Sequence, residues 1–471
     1  MTGRSGTLKF EEGIMGILST LDRDKKEAIG LLQIGTFLEY FDLMLYVHMA
    51  VVLNDLFFPK TDPFTAQLLT AFAFSSTFVF KPFGALLFGY IGDHIGRKAT
   101  VVITTTIMSV TCFVMATLPT YAQIGITASI GITICRMLQG ISSLGESIGS
   151  EIYLSEITKP PVRYPAVGLI GTAGAFGSMA SLGAADALMA LGLEWRIVFF
   201  LGALIAIVGT VARTRLRETP EFSDMKRRLQ IAVEKTRIEG LAQAADLLKS
   251  TNHVWKERVE VKTAIAYFFA FCGFPVCFYI SYIYCGSLLK HDFGFTGAQV
   301  VSHNFVLSIF NFIGLLSFVL LTYKVYPLKI LKAKLWVYYP FILLTPILLT
   351  AIKSPILLVI FQIVGVVFGP STIPAKAIFL VHFPIFKRFT YAGFIAAIAH
   401  ATVYVVTSFG FVYLTNLFGH WGLLIITLPT TIGFTISVKY FERLEERAGL
   451  KQSIGVKSPS QFHSSRFKAR G

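Results

Sequence analysis

Gly89-Tyr90-Ile91-Gly92-Asp93-His94-Ile95-Gly96-Arg97-Lys98 joins two long apolar runs, 66–91 and 99–119. The glycines permit a tight turn and close approach of the flanking helices. Asp93 can pair across the gap or cap the helix that follows, and Arg97 and Lys98 suit a headgroup zone at a membrane face. Residue types, spacing and placement agree, so the stretch reads as a gating loop between two membrane spans. Working outward, runs of similar length recur at 28–53, 127–150, 165–190, 196–212, 263–286, 299–322, 335–352, 356–380, 391–415 and 421–438. About 20 residues at ~1.5 Å each cross a hydrocarbon core about 30 Å thick. The expected fold class is therefore all-α integral membrane, with twelve transmembrane helices.

Composition supports this. The 471 residues are 54% hydrophobic and only 15% charged, against about 25% charged in soluble domains. A soluble surface of this area needs more charge than that. The net charge of +15 does not indicate nucleic acid, because no basic stripe carries a stacking or groove-entering element. With the N-terminus inside, roughly 35 of the 42 Lys and Arg fall on the cytoplasmic side and about 4 outside. That bias sets the expected topology, with both termini cytoplasmic, and gives the inner face affinity for anionic lipid.

The chain divides into a cytoplasmic segment 1–27, six spans over 28–212, a central cytoplasmic loop 213–262, six spans over 263–438 and a tail 439–471. Two six-helix halves joined by one long inner loop are common in secondary carriers. Within the loop, 223–250 reads as amphipathic; in the tail, one short helix is expected around Glu442–Ala448. The first apolar run is too long for a cleaved signal, so it is expected to remain as an anchor. Cys112, Cys135, Cys272, Cys277 and Cys285 lie inside spans without a CxxC pair, so they read as packing residues. The histidines show no metal-ligand spacing, and neither metal nor cofactor is expected. His303, His382 and His400 are candidate proton relays.

Ionisable residues inside spans cost at least about 2.5–3.5 kcal/mol each at mid-bilayer, so they point to function. In span 1, Gly35-Thr36-Phe37-Leu38-Glu39-Tyr40-Phe41-Asp42 holds two carboxylates three apart, on one helical face. Together they can face an aqueous cavity and raise each other's proton affinity, with Tyr40 and Phe41 as a substrate wall. Lys81 in span 2, Arg136 in span 4 and Lys376 in span 10 are the buried cations; Lys81 can alternatively snorkel. Arg136 shares a face with Gln139 and Ser143, and is expected to balance a span 1 carboxylate or a substrate carboxylate. Glu146 lies too far along the axis to pair with it directly. Lys376 follows Gly369-Pro370 and Pro374, and a proline-broken helix is tolerated where a cavity or neighbour satisfies its carbonyls. In span 5, Gly174, Gly177, Ser178, Ser181 and Ala185 make a small-residue seam for close helix contact.

At these residues the chain resembles the major facilitator superfamily. Gly89-x3-Asp93-His94-x-Gly96-Arg97-Lys98 is similar to that superfamily's signature, with His94 where a basic residue is usual. More narrowly it resembles the metabolite:proton symporter family, and within it proline/betaine transporters. Leu38-Glu39-Tyr40-Phe41-Asp42, Phe57-Phe58-Pro59, Arg136-x2-Gln139-Gly140 with Gly145-Glu146, Trp195-Arg196-Ile197 and Glu218-Thr219-Pro220-Glu221-Phe222 carry that likeness. The C-terminal half departs: Thr322-Tyr323-Lys324-Val325-Tyr326-Pro327 lacks the second loop signature's Asp and Gly, and Val381-His382 stands where an acidic residue precedes Phe-Pro. The resemblance implies a proton-coupled importer in a bacterial inner membrane, with coupling near the charges of spans 1 and 4.

The expected function is symport of a proton and a small polar solute by alternating access. The site would comprise Glu39, Asp42, Arg136, Glu146, Lys81, Lys376 and Tyr40, and the gating loop Gly89, Asp93, Gly96, Arg97 and Lys98. A proline- or betaine-type osmolyte fits, with Tyr40, Phe41, Tyr279 and Tyr282 facing its cation. The alternatives are a dicarboxylate carrier, suited by Lys81, Arg136 and Lys376, and a non-transporting membrane receptor. No nucleophile–base pair marks an enzyme. The expected partners are the solute, the proton and the bilayer, with the chain a monomer.

Overall fold

The computed structural model describes residues 23–59, 63–94, 97–143, 147–192, 194–214, 259–384 and 388–449. The amphipathic stretch 223–250 and the tail beyond Gly449 lie outside them. Among the described residues the chain is helical throughout, without strands. The first half comprises α1 (Arg23–Phe57), α2 (Pro63–Val79), α3 (Lys81–His94), α4 (Arg97–Thr117), α5 (Ile126–Ser142), α6 (Ser147–Ile157), α7 (Arg163–Ala190) and α8 (Trp195–Thr214). The second comprises α9 (Val261–Phe278), α10 (Cys285–His291), α11 (Gly297–Leu321), α12 (Pro327–Ala351), α13 (Pro355–Phe368), α14 (Lys376–Val381), α15 (Arg388–Phe418) and α16 (Gly422–Arg447).

Each apolar run read from the sequence coincides with one helix or a broken pair. Among the described residues, seven helical stretches are long and apolar enough to cross a membrane, and the last of them, Thr390–Arg447, contains both α15 and α16. Thr106–Thr117, Ile126–Ser142 and Trp195–Ile205 are apolar but shorter, and α1 adds 35 residues with its charges at the ends and at mid-span.

Span 2 breaks at Phe80 and span 10 at Gly369-Pro370; in span 4 the described helices are Ile126–Ser142 and Ser147–Ile157. In span 10 a 3₁₀ turn, Ile373–Ala375, then leads into α14. Span 7 passes through a π turn, Tyr279–Tyr284, one turn beyond Pro275; such bulges absorb local mismatch in hydrogen-bond register.

The halves meet along α7 against α11 and along α2 and α3 against α15. Within the first half, α1 packs on α7 and α4 on α8. The small-residue seam of span 5 serves the first of these contacts: a Cβ on Gly177 would lie 2.2 Å from the Phe37 carbonyl oxygen of α1. Gly140 has the same role where spans 2 and 4 cross, since its Cβ would lie 1.8 Å from the Thr77 carbonyl oxygen. Membrane helices associate by such close packing, without aqueous hydrophobic drive.

One boundary differs from the sequence reading. No separate short helix forms around Glu442–Ala448; α16 runs unbroken to Arg447. Phe441 and Glu445 continue its buried face, so the last two turns are held by packing.

Candidate functional site

Between the halves lies a cavity of roughly 120 Å³. The first half contributes Thr36, Tyr40 and Met44 from α1, spaced four apart and hence on one helical face. It also contributes Glu151 from α6, and Gly171, Gly174 and Ser178 from α7. The second half supplies Phe271, Phe274 and Phe278 from α9, Tyr282 from the π turn, Lys334 from α12, Lys376 from α14, and His400 and Tyr404 from α15. Gly174 keeps α7 low beside Tyr40, whose ring would lie 2.9 Å from an added Cβ.

An ion pair crosses the cavity. Lys376 Nζ donates to Glu151 Oε1 at 2.6 Å, and the two side chains are 14% and 2% exposed. Glu151 lies in α6 of span 4 and Lys376 opens α14 of span 10, and these spans hold the same position in their halves. Lys334 is 3% exposed; its ammonium lies 5.1 Å from the Phe318 ring centroid and meets no carboxylate among the described residues. The pocket therefore holds one compensated and one uncompensated cation within a mostly aromatic wall.

The expected site residues divide sharply. Tyr40 and Lys376 line the cavity. Glu39 and Asp42 are buried in α1 but do not line it. At about 100° per residue, Glu39 is turned a quarter-circle from Tyr40 and Asp42 faces nearly the opposite way. Asp42 Oδ1 lies 3.5 Å from where Gly202 of α8 would carry a Cβ. The pair's shared face thus looks into the first half, not onto the cavity.

Arg136 is fully buried there. Its Nη1 donates to Gln139 Oε1 at 2.9 Å and to the Leu43 carbonyl at 3.5 Å, and its guanidinium stacks 4.1 Å from the Tyr46 ring centroid. A glutamine amide and an aromatic face occupy the place expected for a counter-carboxylate. Lys81 does not snorkel: it is 7% exposed, with Nζ 4.9 Å from the Phe78 centroid.

Phe41 and Tyr279, expected in the substrate wall, are buried outside the lining. The Tyr279 hydroxyl donates to the Ser408 carbonyl at 3.4 Å. Gly89 and Asp93 fall in α3, and Arg97 and Lys98 open α4; their side chains, like Gly96 and Glu146, lie outside the described structure. Among the described histidines, His303 Nε2 bonds Gln362 Oε1 at 2.7 Å, His382 Nε2 bonds Glu445 Oε1 at 2.9 Å, and His400 alone lines the cavity.

Polar contacts close both ends between or within the halves. At the end the charge bias assigns to the exterior, Lys290 Nζ pairs with Asp55 Oδ2 at 2.7 Å, and Ser302 donates to Asp186. At the other end, the Tyr326 hydroxyl donates to Glu445 Oε2 at 2.9 Å, Lys332 pairs with Glu442, and the Tyr326 ring meets Tyr164 of α7 edge-on at 6.2 Å. Burial, reinforced by the Glu445 carboxylate, pushes the Tyr326 phenol's proton affinity up. The divergent loop between α11 and α12 is thus anchored by a carboxylate from the last helix.

Paired helical halves around a small charged cavity, built from membrane-length apolar helices, define a membrane-embedded fold of the two-bundle type. The chain belongs to the Major Facilitator Superfamily, whose family model matches residues 32–410. Among curated relatives, a proline/betaine transporter of Salmonella typhimurium is 36% identical over 227 residues, covering 45% of this chain and 44% of the relative. A glycine betaine/proline/ectoine/pipecolic acid transporter of Dickeya dadantii is 33% identical over 216 residues, covering 44% and 42%. Each of these matches spans less than half of the relative's own length. Among solved structures, a proton:xylose symporter superposes with a TM-score of 0.67 at 15% identity, covering 88% of this chain and 94% of its own. The human organic anion transporter gives 0.60 at 14% identity, covering 89% and 100%. Both show the fold.

Proposed function

We propose that this chain is a proton-coupled secondary carrier of a small zwitterionic solute of the proline/betaine kind, working by alternating access in a bacterial inner membrane. The observation that carries the reading is the cavity between the halves, with the uncompensated ammonium of Lys334 and an aromatic wall. A solute carboxylate would settle on Lys334, while Tyr40, Tyr282 and Tyr404 face its ammonium or quaternary ammonium end through cation–π attraction. The cavity is well below the ~300–1,000 Å³ of drug-sized sites, which favours a solute of amino-acid size. The names of the curated relatives point the same way.

Orientation with both termini inside rests on the basic bias, and action as a monomer rests on one chain supplying the whole cavity. The six-plus-six division around the 213–262 loop provides the rocking units. In such a cycle, the Gly89–Lys98 loop with Asp93 would latch one orientation of the first half, and Arg136 and Lys81 would hold that half's charged core together.

A second reading follows from one feature: Lys334 and Lys376 share one cavity. If Lys376 leaves Glu151, two ammonium groups suit a dicarboxylate. Counterflow in proteoliposomes with labelled proline, betaine and 2-oxoglutarate separates the readings. Exchange of proline or betaine alone supports the first and exchange of 2-oxoglutarate alone the second. Exchange of none overturns both.

A further inference from the structure

Three buried polar atoms in or within electrostatic reach of the Glu151–Lys376 pair have no hydrogen-bond partner: Glu151 Oε2, Tyr267 Oη and His400 Nδ1. Buried polar groups are normally satisfied, so a cluster of orphans calls for an explanation such as a proton, a water or a ligand. Here they gather on one ion pair, and that pair bridges the two moving halves.

We propose that Glu151 is the proton-coupling carboxylate of the carrier and that its bond to Lys376 is the latch between the halves that the proton releases. This rests on the transport reading above and names the coupling site within it. Glu39 and Asp42 face away from the cavity, whereas Glu151 opens onto it. Oε1 is held by the Lys376 ammonium and Oε2 is vacant, so the carboxylate can accept a proton on Oε2 without first breaking its existing bond. The proton comes from water entering the cavity from one side and leaves to water on the other, and nothing else changes hands.

Neutralising Glu151 leaves Lys376 as a second uncompensated cation beside Lys334. In a low-dielectric pocket that is costly unless an anion arrives. A solute carboxylate answers it, so proton and solute each strengthen the other's binding, as linkage requires. With both bound, α6 and α14 are no longer tied by charge, and the halves can separate at that end.

The titratable groups around Glu151 come from several elements: Tyr40 on α1, Tyr267 on α9, Lys376 on α14, and His400 and Lys334 along the same cavity on α15 and α12. Tyr267 lies within electrostatic reach of Glu151. His400 also lies within electrostatic reach of Lys81 and Lys376.

The test has a readout that needs no solute. Infrared difference spectra of the protein in proteoliposomes, recorded against pH, follow the protonated-carboxyl band. We expect a titrating component that Glu151→Gln removes and Glu39→Gln leaves. Lys376→Met should move its midpoint to higher pH by about one unit or more, a tenfold gain in proton affinity. In uptake assays Glu151→Gln should exchange labelled proline or betaine but lose all accumulation driven by a pH gradient. The double variant Glu151→Gln/Lys376→Met, which strands neither partner of the pair, controls for folding. Survival of the band in Glu151→Gln, or gradient-driven accumulation equal to wild type, overturns the latch. A band that behaves as described in a protein that moves no solute overturns the transport reading and leaves the latch standing.

Discussion

Among the described residues, the ion pairs Lys290–Asp55 and Lys376–Glu151 both join the halves, and they differ in little except where they lie. Lys290–Asp55 spans 2.7 Å with side chains 35% and 64% exposed; Lys376–Glu151 spans 2.6 Å at 14% and 2%. Water and salt screen the first, and exposed pairs of this kind contribute about 0–1 kcal/mol. The second has lost its hydration, so removing one partner strands a buried charge at a cost of about 3–5 kcal/mol. The outer pair can therefore open thermally, whereas the inner one needs a chemical event to open it. Near-identical geometry gives a fastener at one end and a switch at the other.

The largest effect that would break this contrast is on stability. Lys376→Met should destabilise the detergent-solubilised protein by about 3–5 kcal/mol, seen as a large fall in unfolding temperature at neutral pH. The double variant with Glu151→Gln should recover most of it. A single variant as stable as the double would mean that the pair is wet, and the contrast with Lys290–Asp55 would vanish.

Next comes Arg136→Ala. The side chain is fully buried on Gln139, Leu43 and the Tyr46 ring, away from the cavity. It should cut solute uptake at least about tenfold through lost packing and hydrogen bonds, with membrane insertion preserved. Normal kinetics would remove this charged core from the working parts. Gly140→Val should cost about 1–3 kcal/mol or more by forcing spans 2 and 4 apart, read as loss of the folded fraction after extraction.

How much of this was legible in the sequence turns on a few positions. The spans are readable because hydropathy and length report the bilayer directly, and Gly177 is visible as part of a small-residue seam where helices must touch, whereas the contact of Gly140 with Thr77 emerges only from the structure. The site was only half readable. The apolar run of span 4 ends at residue 150 and that of span 9 begins at residue 335, so Glu151 and Lys334 each fall one residue outside and do not stand out as intramembrane charges. Helices outrun their most apolar stretch, and the turns just past a span's edge are where a wet cavity can reach. Glu39 and Asp42 drew attention instead because two acids in one apolar run are conspicuous; their spacing fixes a shared face but not which neighbour that face meets. Glu445, which holds Tyr326 and His382, was hidden for a different reason: its burial depends on α16 continuing past Lys439, and a polar composition gives no sign of that.

A smaller effect sharpens the comparison at the inner end. The Tyr326 phenol is held neutral by burial beside Glu445. Its proton affinity is higher in the folded than in the unfolded chain, so it contributes stability below the free tyrosine value of about 10 that is lost as pH rises above it. Tyr326→Phe should lower stability at neutral pH by about 1.5–3 kcal/mol, the range for a hydrogen bond to a charged acceptor, and flatten the alkaline fall. An unchanged alkaline slope would show that other tyrosines govern it.

The smallest effect is the most discriminating. Asp55→Asn removes a salt bridge of the same length as the inner one, yet should change stability by no more than about 1 kcal/mol, and less in high salt. Its influence should fall instead on the balance between outward- and inward-facing states, read as a change in the rate at which a cysteine introduced at the outer rim is labelled. If Asp55→Asn proved as damaging as Lys376→Met, exposure would not be what separates the two pairs. The inner one would then need no proton to explain how it opens.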